Sequence, residues 1–240
     1  GGSRGIGKAC AVRCAEEGAI LVINYTRNKK AAEDVVYIIK QKGGEAIAVK
    51  ADVSKKAEVD ALIDETVDTF GRINGVINNA GVAPFIDFFE LDEEIWDQTM
   101  AVNAKGIFLV TQAAARVMRD QNTRGRICNV TSISGAKATD ELQVPYCTSK
   151  GAANMFTKIA ALALAKYNIT VNAILPGTIE TDINRDVLAK PETREGIIEN
   201  TPLHSLGETD DIAFAAVYFM SDESKWVTGS ELPIDGGFII

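Results

Sequence analysis

Histidine is almost absent from this sequence of 240 residues, in which His204 is the only one. A metal centre built on several imidazoles is therefore excluded, and so is a histidine-dependent nucleophile unless His204 itself serves. Cysteine is scarce too, and its four copies lack the C-x-x-C spacing of zinc sites. We expect no metal, and we interpret the cysteines as small core residues of a cytoplasmic protein, because the cytoplasm is reducing.

Long apolar runs and a net positive charge are also missing. The longest apolar run, residues 212–220, is about half of the ~20 residues that a membrane-spanning helix requires. The formal net charge is -8, which argues against partners such as nucleic acid or an anionic membrane surface. The sequence therefore predicts a small molecule as the partner, with no nucleic acid and no membrane.

Short apolar runs do occur, and they alternate with amphipathic stretches. The runs that are typical of strands buried on both faces are residues 19–23, 46–49, 76–77, 127–130 and 169–175. Helical patterns lie between them, over residues 31–42, 55–70 with Ser54 as N-cap and Gly71 as stop, 91–118, 146–167 and 210–220. This alternation predicts one α/β domain over residues 1–240, a Rossmann-like doubly wound parallel sheet with helices on both faces. Residues 177–207 are the least regular and are interpreted as a flap over a site.

A glycine-rich turn opens the sequence and leads into a helical pattern over residues 8–17. Glycines let the backbone approach a pyrophosphate, and a helix N-terminus supplies unpaired N–H groups and partial positive charge. In dinucleotide-binding units a strand precedes such a turn, so we expect this first strand to lie outside the printed sequence. The candidate residues of the turn are Gly1, Ser3, Arg4, Gly5, Ile6 and Gly7.

The strand after this turn ends without an acidic residue. Enzymes that bind the 2′-hydroxyl of the adenosine ribose place Asp or Glu there, but residues 19–30 contain neither and offer Arg27 instead. Arg4 in the glycine turn is a second guanidinium suited to a phosphate dianion. The sequence therefore favours NADP over NAD, and NAD stays the alternative if these basic side chains are merely solvated.

Tyr146 and Lys150 stand four residues apart, which places them on one face of a helix. A phenol has a pKa near 10, too high for a base at neutral pH, and a neighbouring cation is expected to lower it. Ser132 follows the strand over residues 127–130, at the sheet edge where ligands of open α/β sheets bind. Tyr146 is therefore a candidate proton donor or acceptor for carbonyl–alcohol interconversion.

Taken together, these motifs resemble the short-chain dehydrogenase/reductase family across essentially the whole chain. They occur in the family's order: Gly1-x-x-x-Gly5-x-Gly7, Asp52-Val53, Asn78-Asn79-Ala80-Gly81, Asn103, Ser132, Tyr146-x-x-x-Lys150 and Pro176-Gly177. The sequence departs from the family in the missing first strand. It departs also in the connection from Ser132 to Tyr146, which is one residue longer than usual.

The resemblance implies the remaining roles. Tyr146 would be the general acid or base, Lys150 would lower its pKa and bind the nicotinamide ribose, Ser132 would bond the substrate oxygen, and Asn103 would hold a water of a proton relay. Asp52, Val53, Asn79, Ala80 and Gly81 would line the adenosine side, and Pro176, Gly177, Ile179 and Thr181 the carboxamide end. The family also suggests a homotetramer, with the helix over residues 151–167 at one interface.

The sequence leaves the substrate open between two readings. Residues 176–184 resemble the family's aldose 1-dehydrogenases, which oxidise rhamnose, galactose or glucose to a lactone, and Ser134, Gln143, Asp182 and Asn184 are the candidate sugar ligands. The alternative is a 3-oxoacyl-thioester reductase, although the acidic residues 87–94 would repel an acidic carrier protein. An NADP-binding regulator without turnover is the non-enzyme alternative.

Overall fold

Six β-strands and nine α-helices alternate along the computed structural model, which describes residues 1–240. The strands are β1 (Leu21–Tyr25), β2 (Ala46–Lys50), β3 (Gly75–Asn78), β4 (Arg126–Val130), β5 (Thr170–Pro176) and β6 (Glu231–Ile234). The helices are α1 (Gly5–Glu16), α2 (Lys29–Gln41), α3 (Lys56–Phe70), α4 (Glu93–Met100), α5 (Gly106–Asp120), α6 (Val144–Leu164), α7 (Arg185–Leu188), α8 (Pro191–Asn200) and α9 (Thr209–Met220).

All strand pairs are parallel, in the order β1-β2 and β3-β4-β5-β6. Neighbouring residues of β4 point to opposite faces of the sheet, because side chains alternate along a strand. Ile127 packs with α3, α5 and α6 on one face, and Cys128 packs with α1 and α9 on the other. Helices therefore cover both faces, and the predicted Rossmann-like α/β fold is confirmed.

A cavity of about 870 Å³ separates the two groups of strands. Its walls include Leu21, Val22 and Asn24 of β1 and all four residues of β3. β1 and β3 are not hydrogen-bonded to each other. The sequence predicts one more parallel strand ahead of the glycine turn, and that strand stays a prediction.

Several helix boundaries differ from those predicted. Gly71 ends α3 in the left-handed conformation as expected, with φ 77°. Ser54 does not cap that helix, because its hydroxyl donates to Asp52 and the N-cap residue is Lys55. The predicted helix over residues 91–118 is interrupted by a π-helical turn, Ala101–Lys105, and the irregular residues 177–207 contain α7 and α8. Strand β6 was not predicted, because Pro233 and Glu231 weaken its apolar pattern.

The cysteines behave as packing residues. Cys10, Cys14 and Cys128 are buried in the core and Cys147 is half-buried. Burial raises the pKa of the Cys10 thiol to about 12, so this side chain is a neutral apolar group at ordinary pH. None of the helices is both long and apolar enough to span a bilayer.

Candidate active site

Helix α6 presents Tyr146 and Lys150 on one face at the carboxyl edge of the sheet. Pro145 lies in the first turn of this helix, where its missing N–H costs no hydrogen bond. The Lys150 ammonium lies 5.6 Å from the centre of the Tyr146 ring, and it donates to the main-chain oxygen of Val130 at 3.0 Å. The structure thus brings together the two residues that the spacing singled out.

Burial dominates the electrostatics of this pair. Burial without an acidic partner lowers the pKa of Lys150 to about 8. Burial also raises the pKa of Tyr146, while the interaction with the Ser132 hydroxyl acts in the opposite direction. The expectation that Lys150 lowers the phenol pKa stays a prediction.

Ser132 lies directly after β4, with its backbone extended and its side chain buried. Its hydroxyl accepts a hydrogen bond from the main-chain N–H of Ser134 at 3.0 Å. The Ser134 hydroxyl, a predicted sugar ligand, is paired with that of Thr139 at 2.8 Å. Gln143 precedes α6, and its side chain has no partner in the protein. Ser132 and Gln143 therefore keep hydrogen-bonding capacity for a substrate.

Asn103 lies fully buried in the π-helical turn between α4 and α5. Its amide oxygen accepts from the N–H of Val82 at 2.9 Å, and its amide nitrogen donates to the Val82 carbonyl at 2.8 Å and to the Ser149 hydroxyl at 3.0 Å. Both ends of the side chain are therefore occupied by the protein. The Asn103 side chain thus clamps the segment after β3, and the relay role expected for this residue stays a prediction.

Ser149 is a site residue that the sequence did not reveal. It is fully buried one turn beyond Tyr146, and its hydroxyl donates to the Tyr146 carbonyl at 2.7 Å while accepting from Asn103. Ser149 thus joins the π-helical turn to the start of α6. The only signal in the sequence was a small polar residue between Tyr146 and Lys150, and such a residue is common on helices.

The glycine turn is suited to a dinucleotide. Arg4 precedes α1 without a side-chain cap, and the first turn of α1 holds no acidic residue, so its N–H groups are available to a diphosphate. A Cβ on Gly7 would lie 2.0 Å from the Gly1 carbonyl oxygen, so only glycine fits there. The Asn79 amide donates to that same oxygen at 2.8 Å and holds the turn in place. Ser3 and Ile6 complete the predicted set, on either side of Gly5.

The predicted adenosine residues lie beside this turn. A Cβ on Gly1 would lie 2.6 Å from the Ala80 nitrogen, and one on Gly81 would lie 3.8 Å from the Lys150 ammonium. Val53 packs against the start of α5 at Gly106. These contacts link the adenosine side of the site to its catalytic side.

Asp52 is held in its charged form. Burial opposes that form, but hydrogen bonds from Ser54 and the charges of Lys55 and Arg27 outweigh it and lower the pKa of Asp52. Arg27 is therefore close enough to act electrostatically on this edge of the site.

The segment after β5 carries the predicted nicotinamide residues. Gly177 follows Pro176, and a Cβ on it would lie 2.7 Å from Asp235. Ile179 is buried, and Thr181 approaches the glycine turn, because a Cβ on Gly5 would lie 3.4 Å from its methyl carbon. Residues 177–181 therefore reach across to the diphosphate turn.

Two predicted sugar ligands have other partners in the structure. Asp182 pairs with Arg185 and, at 3.7 Å, with Arg4 of the glycine turn. The Asn184 side chain bonds to the main chain at Thr181 and Ile179. These side chains bond within residues 177–207 and to the glycine turn, and their assignment as sugar ligands stays a prediction.

The residues present fit a nicotinamide dinucleotide. Lys150 uses one of its three N–H donors on Val130, which leaves two for ribose hydroxyls. The glycine cradle and the uncapped α1 suit the diphosphate, Arg4 lies within this turn, and Arg27 lies near enough to Asp52 to act on its charge. The fold and the site together define a dinucleotide-dependent oxidoreductase.

Comparison with known proteins also indicates a dinucleotide-dependent oxidoreductase. A family model described as Enoyl-(Acyl carrier protein) reductase matches residues 1–239. The chain is 37% identical over 240 residues to L-rhamnose 1-dehydrogenase (NADP(+)) of Thermoplasma acidophilum, covering 100% of this chain and 94% of that protein. It is 37% identical over 241 residues to 3-oxoacyl-acyl-carrier-protein reductase of Synechocystis, covering 100% and 95%.

This chain is also similar to a solved structure. The gluconate 5-dehydrogenase from Burkholderia cenocepacia in complex with NADP and tartrate superposes with a TM-score of 0.94 at 34% identity, over 99% of this chain and 92% of that one. This chain belongs to the short-chain dehydrogenase/reductase family and is an oxidoreductase that acts on CH–OH groups.

Proposed function

We propose that this protein oxidises an aldose at C1 to its lactone, with NADP as hydride acceptor. The observation that carries the chemistry is the half-buried Tyr146 beside the buried Lys150 and Ser132 at the carboxyl edge of the sheet. The L-rhamnose 1-dehydrogenase relative supports the aldose, and so does the unpartnered Gln143 side chain beside the catalytic helix. NAD is the alternative acceptor.

Ser132, Tyr146 and Lys150 have separate roles in this reaction. Ser132 donates a hydrogen bond to the C1 oxygen and orients it, and Tyr146 takes the proton from the C1 hydroxyl. The C–H bond at C1 breaks as the C=O bond forms, and a bound nicotinamide would supply the acceptor for the departing hydride. Lys150 holds the ribose and, below about pH 8, places a positive charge beside the developing phenolate.

The rate of the oxidation depends on the protonation state of Tyr146. Because burial raises the pKa of this phenol, most of it is protonated at neutral pH. Aldose oxidation needs the deprotonated form, so we expect its rate to increase as the pH is raised above about 7. The reverse reduction uses the protonated form and has no such requirement.

The preference for NADP rests on Arg4 and Arg27. The decisive variant is Arg27→Ala, since removal of a guanidinium from a 2′-phosphate weakens NADP binding and leaves NAD binding almost unchanged. We expect kcat/KM for NADP to fall about tenfold relative to NAD. A wild-type preference for NAD would contradict this assignment.

Reduction of a 3-oxoacyl thioester is the second candidate, and it is supported by the Synechocystis relative. The acidic segment that leads into α4 weighs against it, because acyl carrier proteins are acidic. Asp87, Glu90, Asp92, Glu93 and Glu94 all lie in this segment. Like charges on the two surfaces would oppose docking.

One pair of assays separates the two substrates. NADP reduction is measured with a panel of aldoses at pH 8–9, and NADPH oxidation with an acetoacetyl thioester, using Tyr146→Phe as the inactive control for both. Activity with an aldose at millimolar concentration supports the proposal. Thioester activity without aldose activity reverses the ranking, and activity of Tyr146→Phe rejects the mechanism.

We also propose that the protein forms a homo-oligomer, and specifically a homotetramer. Support comes from a stripe of exposed apolar residues on α6, formed by Met155, Ile159 and Leu162, the last of which is 78% exposed. These positions recur every three or four residues and form one helix face. Light scattering after size exclusion tests the proposal: Leu162→Glu is expected to dissociate the assembly, and a monomeric wild type would contradict it.

A cytoplasmic location is proposed as well. Its support is that none of the four cysteines is paired in a disulfide, as expected in a reducing compartment. Fractionation of the native host cells, with immunodetection of the protein, tests this location.

A further inference from the structure

Asn184 occupies an unusual position at the start of a helix. It is the N-cap residue of α7, where an asparagine side chain ordinarily accepts a hydrogen bond from the second or third N–H of the helix. Here that bond is absent, and the side chain is turned back toward the preceding loop. The Asn184 side chain therefore bonds to the loop and does not cap the helix.

The bonds of Asn184 close that loop on itself. Its side-chain oxygen accepts from the main-chain N–H of Thr181 at 3.0 Å and from the Thr181 hydroxyl at 3.4 Å. Its amide nitrogen donates to the Ile179 carbonyl at 2.9 Å. Its own N–H donates to the Thr181 carbonyl at 3.3 Å. Residues 179–184 are thus folded around one side chain.

The two ends of this loop are held differently. The Ile179 end is fixed to Gly207: the two residues form a parallel bridge, and the Gly207 N–H donates to the Thr178 carbonyl at 3.1 Å. The Thr181 end has no such strand partner and depends on Asn184. The position of Thr181 is therefore the part of the loop that Asn184 controls.

Thr181 is also the residue that reaches the glycine turn. Its methyl carbon lies 3.4 Å from the point where a Cβ on Gly5 would stand, so it packs on the backbone that receives the diphosphate. Gly5 has a φ of 51° and begins α1, which presents its free N–H groups at this point. A displaced Thr181 would open the diphosphate site to solvent.

We propose that Asn184 is a positioning residue for the dinucleotide: it holds Thr181 over the glycine turn and does not contact the sugar. The proposal deepens the proposed function but rests on it only in the identity of the cofactor. It replaces the assignment of Asn184 as a substrate ligand, and the two roles predict different kinetic constants. A positioning role alters the affinity for NADPH, whereas a sugar contact alters the KM for the aldose.

The test measures NADPH binding by fluorescence, which needs no turnover. Asn184→Ala is expected to raise the Kd for NADPH about tenfold, since it removes the bonds that fold the loop. The KM for the aldose, measured at saturating NADP, is expected to stay within about twofold of the wild type. Asn200→Ala is the matched control, because Asn200 in the same flap makes a single side-chain bond, to Gly196.

A double variant separates positioning from a general loss of structure. Thr181→Ala is expected to raise the Kd for NADPH, and adding Asn184→Ala to it is expected to have little further effect, because the two residues act through one contact. If Asn184→Ala proves unstable by circular dichroism, Asn184→Asp replaces it. That variant keeps the oxygen facing Thr181, loses the donor to Ile179, and is expected to raise the Kd by a smaller factor.

An unchanged Kd for NADPH in a folded Asn184 variant would overturn the proposal, whether or not the KM for the aldose rises. Additive effects of the Thr181 and Asn184 substitutions would overturn it as well. Failure of the wild type to oxidise any aldose would reject the proposed substrate and leave the fluorescence test intact, so the two failures can be told apart.

Discussion

The catalytic centre and the flap are built in opposite ways. Asn103, Ser149 and Lys150 are buried, and each bonds to main-chain or side-chain atoms of another element or turn. In the flap, α8 has no buried residue, and Arg194 pairs with Glu180 in partly exposed positions. The difference indicates that buried bonds hold the catalytic side chains, whereas exposed contacts hold α8, so we expect α8 to be the more mobile of the two.

The largest effect is expected at the reacting group itself. Tyr146→Phe removes the proton donor and acceptor, so kcat should fall by about a thousandfold while the Kd for NADPH changes little. Steady-state kinetics and NADPH fluorescence measure the two quantities. A comparable loss of NADPH binding would mean that the variant had disturbed the fold of the site and not only its chemistry.

A smaller but still large effect is expected from Asn103→Ala. It leaves Val82 and Ser149 without their buried partner, so the free energy of unfolding should fall by about 2–3 kcal/mol. Urea denaturation followed by circular dichroism measures this quantity. Asn200→Ala removes an exposed asparagine from the flap and should leave the urea midpoint almost unchanged. Equal losses of unfolding free energy in the two variants would show that the catalytic centre and the flap are held equally firmly.

Lys150 gives the centre a particular pH dependence. Its pKa of about 8 in the folded protein lies below the unfolded value of about 10.5, so its burial costs stability wherever the side chain must stay charged. This cost is present in full below about pH 8 and is relieved as the pH rises from there toward 10.5. Lys150→Met lacks the titration, so the wild type should gain about 2 kcal/mol relative to that variant between about pH 7 and 9.5.

Urea denaturation of both proteins across this pH range measures the difference in unfolding free energy. A constant difference would show that Lys150 titrates normally despite its burial. A fall in the unfolding free energy of the wild type relative to Lys150→Met, as the pH rises, would reverse the sign derived from the lowered pKa.

The smallest effect is expected in the flap. Arg194→Ala breaks the pair with Glu180 at 2.8 Å, but both side chains are largely solvated, so the thermal midpoint should not shift measurably. Arg126→Ala is the buried counterpart: the residue is 5% exposed and its side chain bonds to Asp222, Ser221 and Gly125, so a clear loss of stability is expected. Similar thermal midpoints for Arg194→Ala and Arg126→Ala would contradict the expectation that buried contacts stabilise this protein more than exposed ones do.

Much of the fold could be predicted, because alternating apolar and amphipathic stretches determine strands and helices directly. The π-helical turn at Asn103 could not, since a single extra residue hardly disturbs the apolar periodicity over residues 91–118. Strand β6 was missed for a related reason: its edge position tolerates Pro233 and polar residues that a central strand would exclude.

The site was partly predictable as well. Residue types and spacing identified Tyr146, Lys150 and Ser132, because their chemistry depends on those side chains. The raised pKa of Tyr146 was not predictable, since desolvation is a property of the folded surroundings. Nor was the orientation of Asn184, because a polar side chain beside a substrate loop bonds either outward or back to its own backbone.

The interrupted helix between α4 and α5 also bears on how such a protein can diverge. A one-residue deletion within Ala101–Lys105 would let the two helices merge into one, and the upstream part would turn by about 100° relative to the downstream part. The packing of α5 would survive such a change, but Asn103 would leave Val82. We therefore expect a change of length at this single turn to separate Asn103 from its partners and to abolish the activity.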